Sequence, residues 1–117
     1  MKREFKVDKL CKDRESVLNE LKLGYINLAD GLFSLARVNF NMVIHADPTS
    51  ADAYWGLMLA NSEIAREELL KTSPMQYKDV IKSKEYENAM EYADVEQKKI
   101  YLELASEVIK LNEAENY

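Results

Sequence analysis

Apolar residues recur every three or four positions along most of the chain, which is the spacing of helices that bury one face. The 117 residues include only three Gly and two Pro, and runs of β-branched residues are missing, so an all-α fold is predicted. Helices are predicted at about 10–30, 33–46, 51–71, 74–82, 84–93 and 95–112. In the last helix the predicted buried stripe is Ile100, Leu104, Val108 and Leu111.

Local sequence signals set several of these boundaries. Pro48 ends the second helix, because proline pushes the preceding residue out of helical geometry. The pairs Ser73 with Gln76 and Asp94 with Gln97 have the spacing of capping boxes, which predicts helices that start at 74 and 95. The start of the first helix stays open among three candidate caps, Asp8, Asp13 and Ser16.

A second pattern lies within the first two predicted helices. Gly24, Ala36-x3-Phe40 and Pro48 follow the small, aromatic and proline spacing of a helical repeat. The two small residues would let antiparallel helices touch, and Phe33 and Phe40 would fill the wedge between them. Gly31 suits the turn, because glycine adopts positive φ without strain. The chain therefore resembles tetratricopeptide repeat proteins, whose helical hairpins usually bind other proteins.

Translation along the sequence predicts a second hairpin. A shift of 34 residues, the length of a tetratricopeptide repeat, takes Leu23 to Leu57 and Asn27 to Asn61. Further on the matching offset grows to 53, which predicts a 19-residue insertion. We predict one domain over 1–117, with a first hairpin at 10–48, a second hairpin at 50–94 that has an insertion at about 63–84, and a capping helix at 95–113.

Part of the chain carries a narrower resemblance. The stretches 51–57 and 85–94 resemble the C-terminal helical segment of bacterial proteins that place a tetratricopeptide-like domain beside other modules, some with zinc ribbons. This resemblance implies an accessory or docking role for the helical part. A zinc ribbon is excluded, because Cys11 is the only cysteine.

The net charge and the single cysteine limit the kinds of partner and the cellular location that the sequence predicts. The formal net charge of −5 disfavours nucleic acid, since neutralising phosphates needs a basic surface. Residues 1–14 are basic and residues 85–117 are acidic, so the ends could attract each other within or between molecules, although a solvated surface is favoured. The lone Cys11 leaves no internal disulfide, and neither a signal peptide nor an 18-residue apolar run is found. A cytoplasmic protein without membrane contact is predicted.

The titratable residues offer few candidates for a metal or catalytic site. His45 and Cys11 are the only soft or borderline metal ligands, whereas structural zinc needs four, so no metal site and no cofactor are predicted. Glu63, Glu67 and Glu68 could form an acidic cluster, but a solvated face is favoured because the Glu-x-x-His motif of di-iron bundles is missing. No phosphate-binding loop or nucleophile elbow is found. We therefore predict no catalytic residues and no enzyme activity.

The tetratricopeptide resemblance implies that the first helix of each hairpin lines a groove for a partner. Carried onto this chain, the groove residues are Leu21, Tyr25, Leu28, Asp52, Trp55 and Leu59. For Trp55 a core position and a groove position are equally favoured. For Tyr25 and Leu28, contact with the N-terminal or C-terminal helix is favoured. The carboxylate clamp of chaperone-binding relatives is missing, so an apolar helix or an extended peptide is the predicted ligand.

Two functions follow from these observations. The first is a non-catalytic module that binds a protein segment through this groove. In that case Trp55→Ala abolishes capture of the partner with little change in melting temperature, whereas a collapsed fold assigns Trp55 to the core. The second is a structural or oligomerisation module, because two hairpins are fewer than the three that a stack of repeats normally needs. A homodimer, or packing on another domain, would then cover the exposed face.

Overall fold

The computed structural model of the chain describes residues 4–5 and 13–115, and every regular element within them is helical, as predicted. Residues 8 and 10, in the predicted start of the first helix, lie outside the described ranges. The α-helices are α1 (Arg14–Ala29), α2 (Phe33–Ala46), α3 (Ala51–Asn61), α4 (Leu69–Thr72), α5 (Lys84–Tyr92) and α6 (Val95–Glu115). A 3-10 helix, Lys78–Lys82, lies between α4 and α5.

The packing order places α3 at the centre of the molecule. α1 and α2 form a hairpin, and α3 lies alongside both of them. α5 packs against α3, while α6 packs against α4 and the 3-10 helix. Eight of the eleven residues of α3 are buried, so this helix is enclosed on nearly every side.

The turn between α1 and α2 is the one that Gly31 predicts. Gly31 has a φ of 77°, and its N–H donates to the Leu28 carbonyl at 3.0 Å. The Leu32 N–H donates to the Asn27 carbonyl at 2.9 Å. These two bonds form a Schellman motif, which satisfies carbonyls that the end of α1 would otherwise leave without a partner.

Phe40 fills the space between α1, α2 and α3, as the repeat pattern predicts for the first hairpin. Its ring is fully buried and lies against Gly24 of α1 and Gly56 of α3. A Cβ added at Gly24 would come within 2.6 Å of the ring, and one at Gly56 within 2.4 Å. Any larger side chain at either glycine would therefore push the ring or the helices apart.

The prediction of a third helix over 51–71 is wrong, because α3 ends at Asn61. Glu63 has a φ of 55°, and its N–H donates to the Ala60 carbonyl at 3.1 Å. The Ile64 N–H donates to the Leu59 carbonyl at 2.9 Å, which completes a second Schellman motif. Ile64 is fully buried in the same apolar core as Leu59, as expected for a motif that an apolar contact usually accompanies.

The later elements depart less from the predictions. The helix predicted at 74–82 is instead a 3-10 helix that starts at Lys78, after turns in which the Gln76 N–H donates to the Ser73 carbonyl. The helix predicted at 84–93 is confirmed as α5, with the Ser83 hydroxyl accepting from the Tyr86 N–H. The capping box of α6 is confirmed, and the helix continues to Glu115.

Candidate functional site

The structure places most of the six predicted groove residues in the interior. Tyr25 is half-buried, but the other five side chains are each 2% exposed or less, so they do not line an open groove. These five are Leu21, Leu28, Asp52, Trp55 and Leu59.

Trp55 is buried because α6 and the segment before α4 cover its face of α3. The Tyr101 ring stacks on the indole with centroids 4.3 Å apart and planes 9° apart. The Trp55 indole N–H donates to the Glu67 carboxylate at 2.9 Å. The interpretation of Glu67 as part of a solvated acidic face is therefore wrong for this residue.

Asp52 ties α6 to the same face of α3. Its side chain is 1% exposed and accepts hydrogen bonds from the Tyr101 hydroxyl and from the Gln97 amide, the latter at 3.1 Å. A buried carboxylate needs such donors, because leaving it without them costs several kcal/mol. Asp52 thus holds α6 in place, and the half of the predicted groove that lies on α3 is closed.

Of the three predicted groove residues on α1, only Tyr25 stays partly exposed, because Leu21 and Leu28 are buried. Tyr25 stacks on Phe5, from the N-terminal segment, with centroids 4.5 Å apart and planes 20° apart. It also meets Phe40 edge-on at 4.9 Å, and its hydroxyl donates to the Asp52 carbonyl at 2.5 Å. This contact with the N-terminal segment agrees with the favoured interpretation of Tyr25.

A cavity of about 720 Å³ runs along α1 beside this aromatic pair. We call it the α1 groove; the described residues that line it with Tyr25 are Glu4, Phe5, Leu18, Lys22, Ile26 and Ala29. These described residues are mostly apolar and include one carboxylate and one ammonium group. An exposed apolar concavity of this size is the usual form of a ligand or peptide site.

Sequence reasoning missed Phe5, Gln97 and Tyr101. Phe5 stands among charged residues without helical spacing, and its partner Tyr25 is 20 positions away. Gln97 was identified as a capping residue, but nothing in a capping box indicates that its amide also reaches Asp52. The predicted stripe on α6 included Ile100, which is only half-buried, whereas the neighbouring Tyr101 is fully buried, as are Ala105 and Val108.

Burial raises the pKa of the Tyr86 phenol above its ordinary value of 10.0. Its ring lies 6.3 Å from that of Trp55. The unfolded chain therefore loses this proton first, so the contribution of Tyr86 is complete below about pH 10 and is lost as the pH rises through the folded-state pKa.

We expect Tyr86→Phe to weaken the alkaline loss of stability, because the phenylalanine ring has no proton to release. Urea unfolding at about pH 9 and about pH 11 measures this change in the free energy of unfolding. Tyr77→Phe, at the start of the 3-10 helix, controls for the removal of a hydroxyl. Equal pH dependence in Tyr86→Phe and the wild type would count against the burial of this phenol.

Three further findings bear on the site. No group of three or more His, Cys, Asp or Glu side chains in residues 4–5 and 13–115 is placed to hold a metal ion. Over the same ranges, none of the helices combines the length and apolar character needed to cross a membrane.

No protein-family model matches the chain, and no curated protein or solved structure shows significant similarity to it.

Proposed function

We propose that the chain is a non-catalytic module that binds an extended segment of a partner protein in the α1 groove. The observation that carries this proposal is the position of Phe5. The Phe5 side chain stacks on Tyr25 at the edge of an apolar concavity of about 720 Å³. An aromatic residue of a partner would make the same contact by displacing Phe5 from Tyr25.

The helical arrangement supports this proposal through its likeness to tetratricopeptide hairpins. We propose α1–α2 as the first hairpin and α3–α5 as the second, with the segment between α3 and α5 as the insertion. In such folds the first helix of each hairpin lines the groove. Here α6 covers that face of α3, so the proposed groove is confined to α1.

The lining of the α1 groove defines the chemistry of the ligand. Tyr25 offers a ring for stacking, while Leu18 and Ile26 offer apolar surface. Glu4 and Lys22 add one charge of each sign, so the groove favours an aromatic residue flanked by charged residues. Residues 1–8 of the chain itself have this composition, with Phe5 between charged neighbours.

A peptide of the chain's own sequence tests the groove directly. We expect a fluorescent peptide with the sequence of residues 1–8 to bind the Phe5→Ala variant, in which the aromatic position is vacant. A matched peptide with alanine in place of phenylalanine should bind about 10- to 100-fold more weakly, because burying a Phe side chain contributes about 1.5–3 kcal/mol. Fluorescence anisotropy gives both dissociation constants.

Two further variants locate the binding. Ile26→Lys places a charge in the groove at an exposed position, so it should weaken binding of the phenylalanine peptide without unfolding the protein. Leu102→Lys places the same charge at an exposed position on α6 and should leave binding unchanged. Equal affinity for the two peptides, or equal effects of the two lysines, would overturn the proposal.

A further inference from the structure

The N-terminal segment of the chain itself contacts the α1 groove. Phe5 is partly buried, packs against the core, and stacks on Tyr25 with the two ring centroids 4.5 Å apart. Glu4, the other described residue of this segment, lines the same groove. Both residues lie outside regular secondary structure. The described part of the segment therefore lies where the proposed function places the partner.

Two contacts that do not involve Phe5 hold the Tyr25 ring. Its hydroxyl donates to the Asp52 carbonyl of α3 at 2.5 Å. Its ring also meets the buried Phe40 ring of α2 edge-on, with centroids 4.9 Å apart. Because both partners belong to core helices, the folded helices themselves position the ring face on which Phe5 stacks.

The Tyr25 ring face can hold only one stacked ring. Aromatic pairs have centroids about 4.5–7 Å apart, and Phe5 already lies at the short end of this range. An aromatic residue of a partner and Phe5 therefore cannot stack on this face of Tyr25 at the same time. Binding of the partner requires that Phe5 leave.

Phe5 also competes from within the same molecule. Only residues 6–12 separate it in sequence from Asp13, the N-cap of α1. A binding group on the same chain acts at a fixed effective concentration, which for short connections is on the order of millimolar. A partner at micromolar concentration therefore needs more than one aromatic side chain. It must also contact other apolar lining residues, such as Leu18 and Ile26.

We propose that Phe5 is an intramolecular competitive inhibitor of the α1 groove, so that the chain's own N-terminal segment sets the affinity for the partner. This inference rests on the function proposed above. When a site is vacant for only a fraction of the time, its apparent affinity falls in proportion to that fraction. Any change that removes the Phe5 ring from Tyr25 should then activate binding.

The fluorescent peptide of residues 1–8 tests the competition when it is titrated into the wild type and into Phe5→Ala. We expect about 10- to 100-fold weaker binding to the wild type, which corresponds to a groove occupied by Phe5 for about 90–99% of the time. Phe5→Leu keeps an apolar side chain without a ring and should show intermediate affinity. Val95→Ala, at an 87% exposed position on α6, should match the wild type.

Protein concentration distinguishes the chain's own Phe5 from that of a second copy. The ratio of the two dissociation constants should be the same at low and high protein concentration, because Phe5 and Tyr25 belong to one chain. A ratio that grows with protein concentration would mean that a second copy supplies Phe5, and it would overturn the proposal.

NMR of the full wild-type chain shows the displacement itself. The chain has three phenylalanines, and the Phe5→Ala variant identifies the signals of Phe5 when the rings are labelled with ¹³C. The unlabelled peptide should move the Phe5 signals to their positions in the free, labelled peptide and leave those of the buried Phe40 nearly unchanged.

The two proposals fail in different ways. If the peptide bound the wild type and Phe5→Ala equally well, competition by Phe5 would be wrong, whereas binding in the α1 groove would stand. The same holds if the peptide bound the wild type without moving the Phe5 signals. If the peptide did not bind Phe5→Ala at all, the proposed function would be wrong, and the inhibition with it.

Discussion

Replacing Trp55 with alanine is expected to lower the free energy of unfolding by about 3–5 kcal/mol, a large part of the stability of a single domain. The indole is fully buried and stacks on Tyr101, so its removal leaves a cavity between α3 and α6. It also removes the indole N–H that donates to the Glu67 carboxylate. Urea unfolding measures the loss, and the melting temperature should fall by on the order of 10 °C or more.

Two control variants separate the parts of this effect. Trp55→Phe keeps an aromatic ring against Tyr101 but lacks the indole N–H, so it should cost less than the alanine variant. Leu102→Ala removes an exposed side chain from α6 and should change stability by no more than about 0.5 kcal/mol. If Trp55→Ala abolished peptide binding while stability stayed unchanged, Trp55 would be a groove residue and the assignment to the core would be wrong.

Phe40→Ala is expected to cost a similar 3–5 kcal/mol, because the ring is the apolar filling between α1 and α3. Gly56→Ala should also destabilise the protein, by about 1–3 kcal/mol, since the new Cβ would come within 2.4 Å of the ring. The direction of this stability change shows whether Phe40 contacts the helix at Gly56. In a helix interior without such a contact, the same change would stabilise by up to about 1 kcal/mol.

A double-mutant cycle tests whether the penalty of Gly56→Ala comes from its contact with Phe40. In the Phe40→Ala background the ring is gone, so Gly56→Ala should become neutral or stabilising. Urea unfolding of the wild type, both single variants and the double variant gives the coupling energy between the two positions. A Gly56→Ala penalty of equal size in both backgrounds would contradict the close approach of Phe40 to α3.

The features that sequence predicted correctly are local. Gly31 is the residue that a left-handed helix end favours, and Asp94 with Gln97 forms a reciprocal cap whose two partners are three residues apart. The position of Phe40 in the first hairpin was predicted for a similar reason, since the pattern of small and aromatic residues there is short and regular.

The end of α3 could not be predicted, because Glu63 takes the left-handed conformation that glycine usually supplies. A glutamate in a helical pattern indicates a continuing helix, and no proline follows it closely. The burial of Ile64 and the backbone bonds that end α3 become evident only in the folded chain.

The predicted groove residues show a second limit of prediction from sequence. Repeat spacing placed Asp52 and Trp55 on one face of α3, and both do contact the same covering helix. Gln97 and Tyr101 of α6 cover that face, and they lie more than 40 positions later in the sequence. A single sequence indicates that a face is apolar, but it does not indicate whether a partner or the chain itself covers it.

The most direct test of the proposed binding site is an NMR titration of the Phe5→Ala variant with the peptide of residues 1–8. The account predicts chemical-shift changes centred on the exposed side of α1, at Leu18, Lys22 and Ile26, with resonances of α6 such as Leu102 unchanged. Changes centred on α3 and α6, or no changes at saturating peptide, would contradict it.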